Sequence, residues 1–249
     1  MKISIITVVW NNNETIKDAI DSVLNQTYKD IEYIIIDGVS TDGTVDTIKS
    51  YGTKITKFIS EHDKGLYDAM NKGIALATGD VVGILNSDDF YIDKFVIEKV
   101  VKIFQEKEVD CMFADLVFIN SNDVEKTVRY YDSSKFHPSK FAYGWMPAHP
   151  TFFVRREFYE KYGVYKTDYQ IASDYELLTR FLSKYKISYI YLNQPLIKMR
   201  IGGISTRGFK SNYILNKEII RACNENEIST NWIKVLSKYP KKLMELKGR

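Results

Sequence analysis

The first 85 residues hold four short, almost unbroken apolar runs separated by segments with helical spacing. The runs cover residues 3–9, 31–36, 55–60 and 81–85, and the segments between them are Glu14–Gln26, Thr44–Tyr51 and Leu66–Ala77. Apolar runs without alternation are typical of strands buried on both faces, and they indicate a parallel sheet covered by helices on both sides. Asn13 is predicted to cap the first helix.

The α/β pattern continues more loosely to the end of the chain. A polar turn after the strand near Cys111–Ile119 predicts a hairpin that returns to Tyr131, and residues 133–150 look irregular. The remaining predicted elements are a helix over 94–106, strands over 151–154 and 187–191, a glycine-rich loop over 201–208, and helices over 173–185, 212–226 and 230–246. No linker divides the chain, so we expect an α/β domain with a helical appendage.

Composition excludes several classes of protein. A net charge of +3 over 249 residues does not call for nucleic acid as a partner. Cys111 and Cys223 fit neither a metal-ligand spacing nor a disulfide framework, so we expect a reduced, cytoplasmic compartment. The apolar N-terminus lacks a small-residue cleavage site and is predicted to be the first strand, and no stretch approaches the ~20 apolar residues of a membrane span.

The sequence Asn86-Ser87-Asp88-Asp89 follows the fourth apolar run directly. In open α/β sheets ligands bind beyond the carboxyl ends of the strands, and paired carboxylates there suit Mg²⁺ or Mn²⁺ carried with substrate phosphates. The alternative is that one of the two aspartates only caps a following helix.

The junction after the first strand, Val8–Asn13, contains no glycine. This argues against a dinucleotide fingerprint and a P-loop, which need glycines where backbone amides approach phosphate. Trp10 in this junction could stack on a nucleotide base, or it could fill the core.

Several segments in order resemble glycosyltransferase family 2, inverting enzymes with the GT-A fold. The resemblance covers residues 1–110 well and reaches about residue 205 more loosely. The segments that carry it are residues 4–11, 22–28, 34–44, 61–65, 71–80 and 86–89, which read SIITVVWN, SVLNQTY, IIIDGVSTDGT, EHDKG, NKGIALATGD and NSDD.

The resemblance implies roles on the donor side for residues of the first half. Val8 would belong to the nucleotide-sugar site, and Trp10 would stack on the base, usually uracil. Asp37 would approach the base, and Asp63 would lie beside the base or ribose. Asp88 would touch the ribose, and Asp89 would hold a divalent metal, Mn²⁺ or Mg²⁺, on the donor diphosphate. Two departures from the family pattern are Gly38, where a second acid often follows Asp37, and Ser87, where another acid is common.

The resemblance also implies an acceptor side. Asp174, at the start of a predicted helix, would be the catalytic base, with a first-turn acid favoured by the helix dipole as the alternative. Glu176 is predicted to point to another face. His149 would line the acceptor pocket or be structural, and Arg200 and Arg207 would meet diphosphate charge or be solvated on a turn.

These expectations define a GT-A catalytic domain over 1–208, with a nucleotide-sugar half (1–110) and an acceptor half (111–208), and a helical appendage over 209–249. The predicted activity is sugar transfer from a nucleotide-sugar, a UDP-sugar by resemblance, to a glycan or lipid-linked acceptor in bacterial surface polysaccharide synthesis. The basic, partly apolar tail, residues 234–247, could touch an anionic membrane or be a solvated helix. The rival functions are a sugar-nucleotide nucleotidyltransferase, which should carry a glycine-rich basic loop after the first strand, and a non-catalytic glycan-binding or scaffold protein.

Overall fold

The computed structural model describes residues 1–121, 123–202 and 208–239, without the side chains of residues 208 and 209. The strands are β1 (Ile3–Val9), β2 (Ile31–Asp37), β3 (Lys57–Ser60), β4 (Val81–Ile84), β5 (Phe90–Tyr91), β6 (Cys111–Asn120), β7 (Asp123–Tyr131), β8 (Phe153–Arg155) and β9 (Tyr189–Arg200). The helices are α1 (Ile16–Leu24), α2 (Thr44–Ser50), α3 (Leu66–Leu76), α4 (Val96–Glu106), α5 (Glu157–Tyr162), α6 (Ser173–Thr179), α7 (Gly208–Glu225) and α8 (Trp232–Leu236). A π-helical turn, Arg180–Lys184, continues α6. Within the described ranges, every helix is too short or too polar to cross a lipid bilayer.

The described strands form one mixed sheet in the order β3-β2-β1-β4-β8-β6-β9-β5, with β7 paired to β6. The first four strands are parallel, as predicted, with Val9 opposite Asp37 and Ile6 opposite Ile84. Since β1 lies between β2 and β4, the segments that follow these three strands meet at one edge of the sheet.

Both faces of the sheet are buried, which explains the unbroken apolar runs. Ile6 and Val8 of β1 face a core shared with α3, α6 and α7. Ile3 and Ile5 face a second core shared with α1 and α4. Alternate residues of one strand therefore enter different cores, and neither set can be polar without a partner.

Several predicted bounds differ from the structure. The helices predicted over 14–26 and 94–106 begin at Ile16 and Val96, and the strand predicted over 151–154 is β8, Phe153–Arg155. Asn13 caps nothing, because Thr15 holds the N-cap position of α1 and the Asn13 side-chain oxygen accepts a hydrogen bond from Thr47 Oγ1 at 2.6 Å.

β9 is much longer than the strand predicted over 187–191. The sequence Asn193-Gln194-Pro195 looks like a turn, but the strand passes it through a register shift that sets Ala114 opposite Leu192 and Asp115 opposite Pro195. A bulge of this kind accommodates a proline, which cannot donate to the ladder.

The appendage predicted for 209–249 shares the main core. Ile219, Ala222 and Cys223 of α7 and Val235 of α8 are buried in the same cluster as α3 and α6. The predicted domain boundaries stay a prediction, and residues 240–249 lie outside the described part of the chain.

Candidate active site

Three loops carry the donor-side candidates to the carboxyl edge of the sheet. The loop after β1 is tied to the loop after β4 by Asn12, whose amide nitrogen donates to Ser87 Oγ at 2.9 Å, and by Thr15, whose hydroxyl donates to the Ser87 carbonyl at 3.0 Å. Asn11 joins the same loop to the one after β2, through Ser40 Oγ at 2.7 Å and the Thr41 amide at 2.7 Å. The loops that follow β1, β2 and β4 thus form one hydrogen-bonded unit.

Trp10 stands at this edge with 69% of its surface exposed. The alternative of core filling is therefore wrong, whereas Val8, two residues earlier, is buried in the sheet. Asn11 and Val39, beside Trp10 and Gly38, adopt left-handed φ angles of 46° and 64°. Such a conformation is costly for a β-branched residue, and strain of this kind gathers at functional sites.

Asp37 ends β2 and is completely buried. One carboxylate oxygen accepts hydrogen bonds from Ser60 Oγ at 2.6 Å and the Ser40 amide at 3.1 Å. Its other oxygen, Oδ1, is buried without a hydrogen-bond partner among the described residues. A buried acceptor without a donor is costly, so this oxygen is suited to a donor that a ligand brings.

Asp89 is also completely buried, and Asp88 beside it is half-buried. Asp89 Oδ2 accepts from the Asn86 amide at 3.0 Å, while Oδ1 has no hydrogen-bond partner in the described structure. Burial, and then the neighbouring charge of Asp88, raise the pKa of Asp89 well above its ordinary value. Burial also raises the pKa of Asp88, against the attraction of Arg200.

The alternative that Asp88 or Asp89 caps a helix is wrong. The next helix, α4, begins at Val96 with Phe95 at its N-cap, and the short strand β5 follows the two aspartates instead. Helix capping therefore does not explain why two carboxylates lie together at the end of β4.

This pair fits a divalent cation. No group of three or more histidine, cysteine, aspartate or glutamate side chains in the described ranges could hold one. A cation at Asp89 would therefore need oxygens from a ligand, as Mg²⁺ does when one or two carboxylates and substrate phosphates bind it. The unpartnered oxygen of Asp89 is an acceptor that such a cation would satisfy.

Arg200 does not lie on a solvated turn. It is buried at the end of β9, donates to the Asp88 carbonyl at 2.7 Å, and forms an ion pair with Asp18 of α1. Its guanidinium also lies over the Phe90 ring, 5.1 Å from the centroid. The solvated alternative is thus wrong, and the arginine supports the aspartate loop. Arg207 lies outside the described residues.

On the acceptor side, Asp174 is half-buried in the first turn of α6. Its Oδ1 accepts from the Tyr175 amide at 2.7 Å. Burial is the largest influence on its pKa and raises it, with the nearby His149 acting in the opposite direction. Glu176 lies on another face as expected, wholly buried and paired with Arg180 at 3.0 Å.

His149 is buried close to Asp174 and hydrogen-bonded to Tyr165. The distance from His149 Nε2 to the Tyr165 hydroxyl is 2.7 Å, and burial lowers the pKa of the imidazole. Asn71 of α3 fixes the Tyr165 backbone by donating to its carbonyl at 2.8 Å and accepting from its amide at 2.9 Å. Tyr67, also of α3, donates to the Ile171 carbonyl and is itself close to Asp174.

Sequence reasoning missed Tyr67, Tyr165 and Asn71. The motif Asn71-Lys72-Gly73 carried the family resemblance, but its spacing did not show that the asparagine holds a tyrosine 94 positions away. Asp63 is half-buried just before α3, so the first turns of this helix link the Asp63 region to the Asp174 region.

Comparison with known proteins agrees with this arrangement. The model of the family described as glycosyl transferase family 2 matches residues 4–163. A PGL/p-HBAD biosynthesis glycosyltransferase of Mycobacterium tuberculosis is 26% identical over 88% of this chain and 82% of its own length. An uncharacterized glycosyltransferase of Rickettsia typhi is 30% identical over 88% of this chain and 70% of its own length.

Solved structures share the fold. TarS 1–349 of S. aureus, in complex with UDP-GlcNAc, superposes with a TM-score of 0.69 at 16% identity, over 89% of this chain and 66% of its own. The mannosyltransferase PcManGT of Pyrobaculum calidifontis, in complex with GDP-Man and Mn²⁺, gives 0.65 at 16% identity, over 90% of this chain and 63% of its own. This chain thus spans about two thirds of those structures. The parallel half-sheet and its crowded carboxyl edge are those of a GT-A fold, and the chain belongs to glycosyl transferase family 2.

Proposed function

We propose that this protein is an inverting, metal-dependent glycosyltransferase that uses a UDP-sugar and a glycan or lipid-linked acceptor. The observation that carries the proposal is Asp89, a fully buried carboxylate with one unpartnered oxygen, beside a second carboxylate at the carboxyl end of β4. The Mn²⁺ and UDP-GlcNAc named for the two solved structures support a donor of this kind. Surface polysaccharide or glycolipid synthesis in bacteria is the proposed setting.

The donor would lie along the edge formed by the loops after β1, β2 and β4. Trp10 offers an exposed ring for the base, and Asp37 offers a buried acceptor without a donor among the described residues. Asp63 lies close to Gly38 and Trp10, and Asp88 lies on the loop after β4. Since these loops are hydrogen-bonded to one another through Asn11 and Asn12, the site is formed before the ligand arrives.

A divalent cation would be held by Asp89, with Asp88 adjacent and the donor diphosphate supplying further oxygens. Bound there, it would neutralise the negative charge that develops on the departing diphosphate. Arg200 fixes the carbonyl of Asp88 and pairs with Asp18, so its part is to hold the loop rather than to meet phosphate.

Asp174 is proposed as the catalytic base. In an inverting transfer a carboxylate takes the proton of the acceptor hydroxyl as its oxygen attacks the anomeric carbon. The raised pKa of Asp174 makes it a stronger base than an exposed aspartate. His149, held by Tyr165, is a positioning residue beside it.

The two C-terminal helices, α7 and α8, also carry a surface suited to a membrane. Tyr213, Trp232, Ile233 and Leu236 form what we call the aromatic surface, with Ile233 81% exposed and the Tyr213 ring stacked on Trp232 at 5.8 Å. Residues 228–239 contain two lysines, Lys234 and Lys238, and no acidic residue. Aromatic rings and lysines together favour the headgroup region of an anionic bilayer, and we propose peripheral contact with the cytoplasmic face.

The two rival functions are less well supported. A nucleotidyltransferase needs a glycine-rich basic loop after β1, and Val8–Asn13 has none. A non-catalytic relative would be expected to have lost acids, whereas Asp88, Asp89 and Asp174 are all present.

Calorimetry of UDP binding with and without Mn²⁺ tests the proposal. The wild-type protein should bind UDP more tightly with Mn²⁺, and Asp89→Ala should lose that gain while remaining folded. Asp46→Ala is the matched control, because Asp46 is an exposed acid in α2 and should behave as wild type. Unchanged metal-dependent affinity in Asp89→Ala would falsify the metal assignment.

A further inference from the structure

Neighbouring side chains, and not an unusual backbone conformation, leave room only for glycine at position 38. It lies directly after Asp37, with its amide bonded to the Val9 carbonyl at 2.9 Å, and its φ angle lies outside the left-handed region. A Cβ atom added at this position would lie 2.7 Å from Asp63 Oδ2 and 3.4 Å from Trp10 Cδ1. The first distance is shorter than atoms tolerate, so any side chain here must displace the Asp63 carboxylate.

The Asp63 carboxylate is fixed in the space that Gly38 leaves open by having no side chain. Its Oδ1 accepts from the Gly65 amide at 2.8 Å, which fixes the group just before α3. Its Oδ2 has no hydrogen-bond donor among the described residues. This oxygen and the edge of the Trp10 ring both border the space that a Cβ atom at Gly38 would fill. An exposed aromatic ring therefore has one fixed acceptor atom beside it.

We propose that Gly38 determines base specificity by leaving room for Asp63 Oδ2 beside Trp10, where this oxygen accepts the ring N–H of a uracil stacked on the tryptophan. The inference rests on the proposed function, since it concerns the same donor site. A carboxylate oxygen can only accept. Uracil presents an N–H at ring position 3, whereas cytosine presents a lone pair there and would repel the carboxylate.

The test is a double-mutant cycle read by calorimetry with UDP and CDP in the presence of Mn²⁺. The wild-type protein should prefer UDP by about 10-fold or more, the usual effect of one hydrogen bond to a charged group. Gly38→Ala should weaken UDP by a similar factor and change CDP little. In the Asp63→Ala background the same Gly38→Ala change should have little further effect, because the atom that it displaces is gone.

Asp63→Asn gives an independent reading that does not depend on Gly38→Ala folding. The asparagine amide can donate to position 3 of cytosine, so the UDP preference should fall or reverse, with thermal melting confirming that the fold is kept. Equal affinity for UDP and CDP in the wild-type protein, or equal losses from Gly38→Ala with and without Asp63, would overturn the inference and leave the proposed function standing. A wild-type protein that binds no nucleotide with Mn²⁺ would overturn both.

Discussion

At the scale of single residues, the proposed chemistry depends on which buried carboxylates have hydrogen-bond donors around them. Glu32 is buried but satisfied, since Ser4, Thr78 and Lys57 donate to it, and these bonds hold its pKa down at about 2. Asp89 is also buried, and no cationic side chain among the described residues is hydrogen-bonded to it, so burial raises its pKa. Burial thus accompanies a structural carboxylate at Glu32 and the proposed cation-binding carboxylate at Asp89.

The raised pKa of Asp89 predicts a pH-dependent response to metal. The folded protein binds the Asp89 proton more tightly than the unfolded chain does, so without metal the stability from this group falls as pH rises through the raised pKa. Metal binding requires the carboxylate form. The rise in melting temperature caused by Mn²⁺ with UDP should therefore grow with pH above about 4, the ordinary aspartate value, rather than level off there.

Melting temperatures over about pH 5–8, with and without Mn²⁺ at fixed UDP, measure this effect. Asp89→Asn is the matched control, because it keeps the size of the side chain and reports whatever pH dependence belongs to the nucleotide phosphate. A metal-induced shift with the same pH dependence in both proteins would contradict the assignment.

At the scale of elements, α7 holds the segment that leads into α6. Buried Glu218 accepts from the backbone amides of Gln170, Ile171 and Ala172 at 2.7, 2.9 and 2.9 Å. These three donors precede Asp174 directly, so one carboxylate on α7 sets the start of the helix that carries the proposed base. The proposed site of transfer thus depends on a helix beyond residue 208.

Glu218→Ala should destabilise the protein by on the order of 3 kcal/mol, because it removes a buried carboxylate and leaves three amides without this acceptor, that of Ala172 in a buried place. Urea unfolding measures the loss. Glu227→Ala is the control, since that side chain is 80% exposed and bridges only to Lys184 at the surface. Equal stability of the two variants would show that water replaces Glu218 without cost.

Sequence reasoning predicted the first half of the fold well for a physical reason. β1, β2 and β4 are buried on both faces, so their apolar runs are unbroken and easy to recognise. It failed where tertiary contacts override local signals. β5 is only two residues long and exists because it pairs with Lys198 and Ile197 of β9, and β9 itself passes through Pro195 by a bulge.

The candidate site, like the fold, could be predicted only in part from the sequence. The Asp88–Asp89 pair was visible because it follows an apolar run directly, and Trp10 and Asp37 were visible through the family resemblance. The burial of Arg200 was not visible, because its partner Asp18 is 182 positions away. The roles of Tyr165 and Asn71 depend on a contact of the same long-range kind.

At the scale of the whole molecule, the two C-terminal helices α7 and α8 carry the aromatic surface. Tyr213 lies on α7, the same helix whose Glu218 carboxylate holds the segment before the proposed base. A lipid-linked acceptor held in a bilayer would thereby meet an enzyme that docks on the same bilayer.

Ile233→Gln should weaken binding to anionic vesicles by about 10-fold, because an isoleucine side chain contributes about 1.5–3 kcal/mol when it leaves water. Co-sedimentation with anionic and zwitterionic vesicles measures the effect. The control is Val128→Gln, which alters an exposed apolar residue on β7, away from the aromatic surface in the sequence. This variant should bind vesicles as the wild type does. Failure of the wild-type protein to co-sediment with anionic vesicles would refute the proposed membrane contact.

Asp174 is proposed to take the proton of the acceptor hydroxyl, whereas the donor is proposed to bind at the loops after β1, β2 and β4. The most direct test compares Asp174→Asn with the wild type, measuring donor affinity and the rate of sugar transfer on the same acceptor. Asparagine is isosteric and can still accept from the Tyr175 amide, but it cannot take a proton. We expect Asp174→Asn to keep the donor affinity of the wild type while transfer slows about 10²–10⁴-fold. Near-normal transfer by Asp174→Asn would show that Asp174 is not the base.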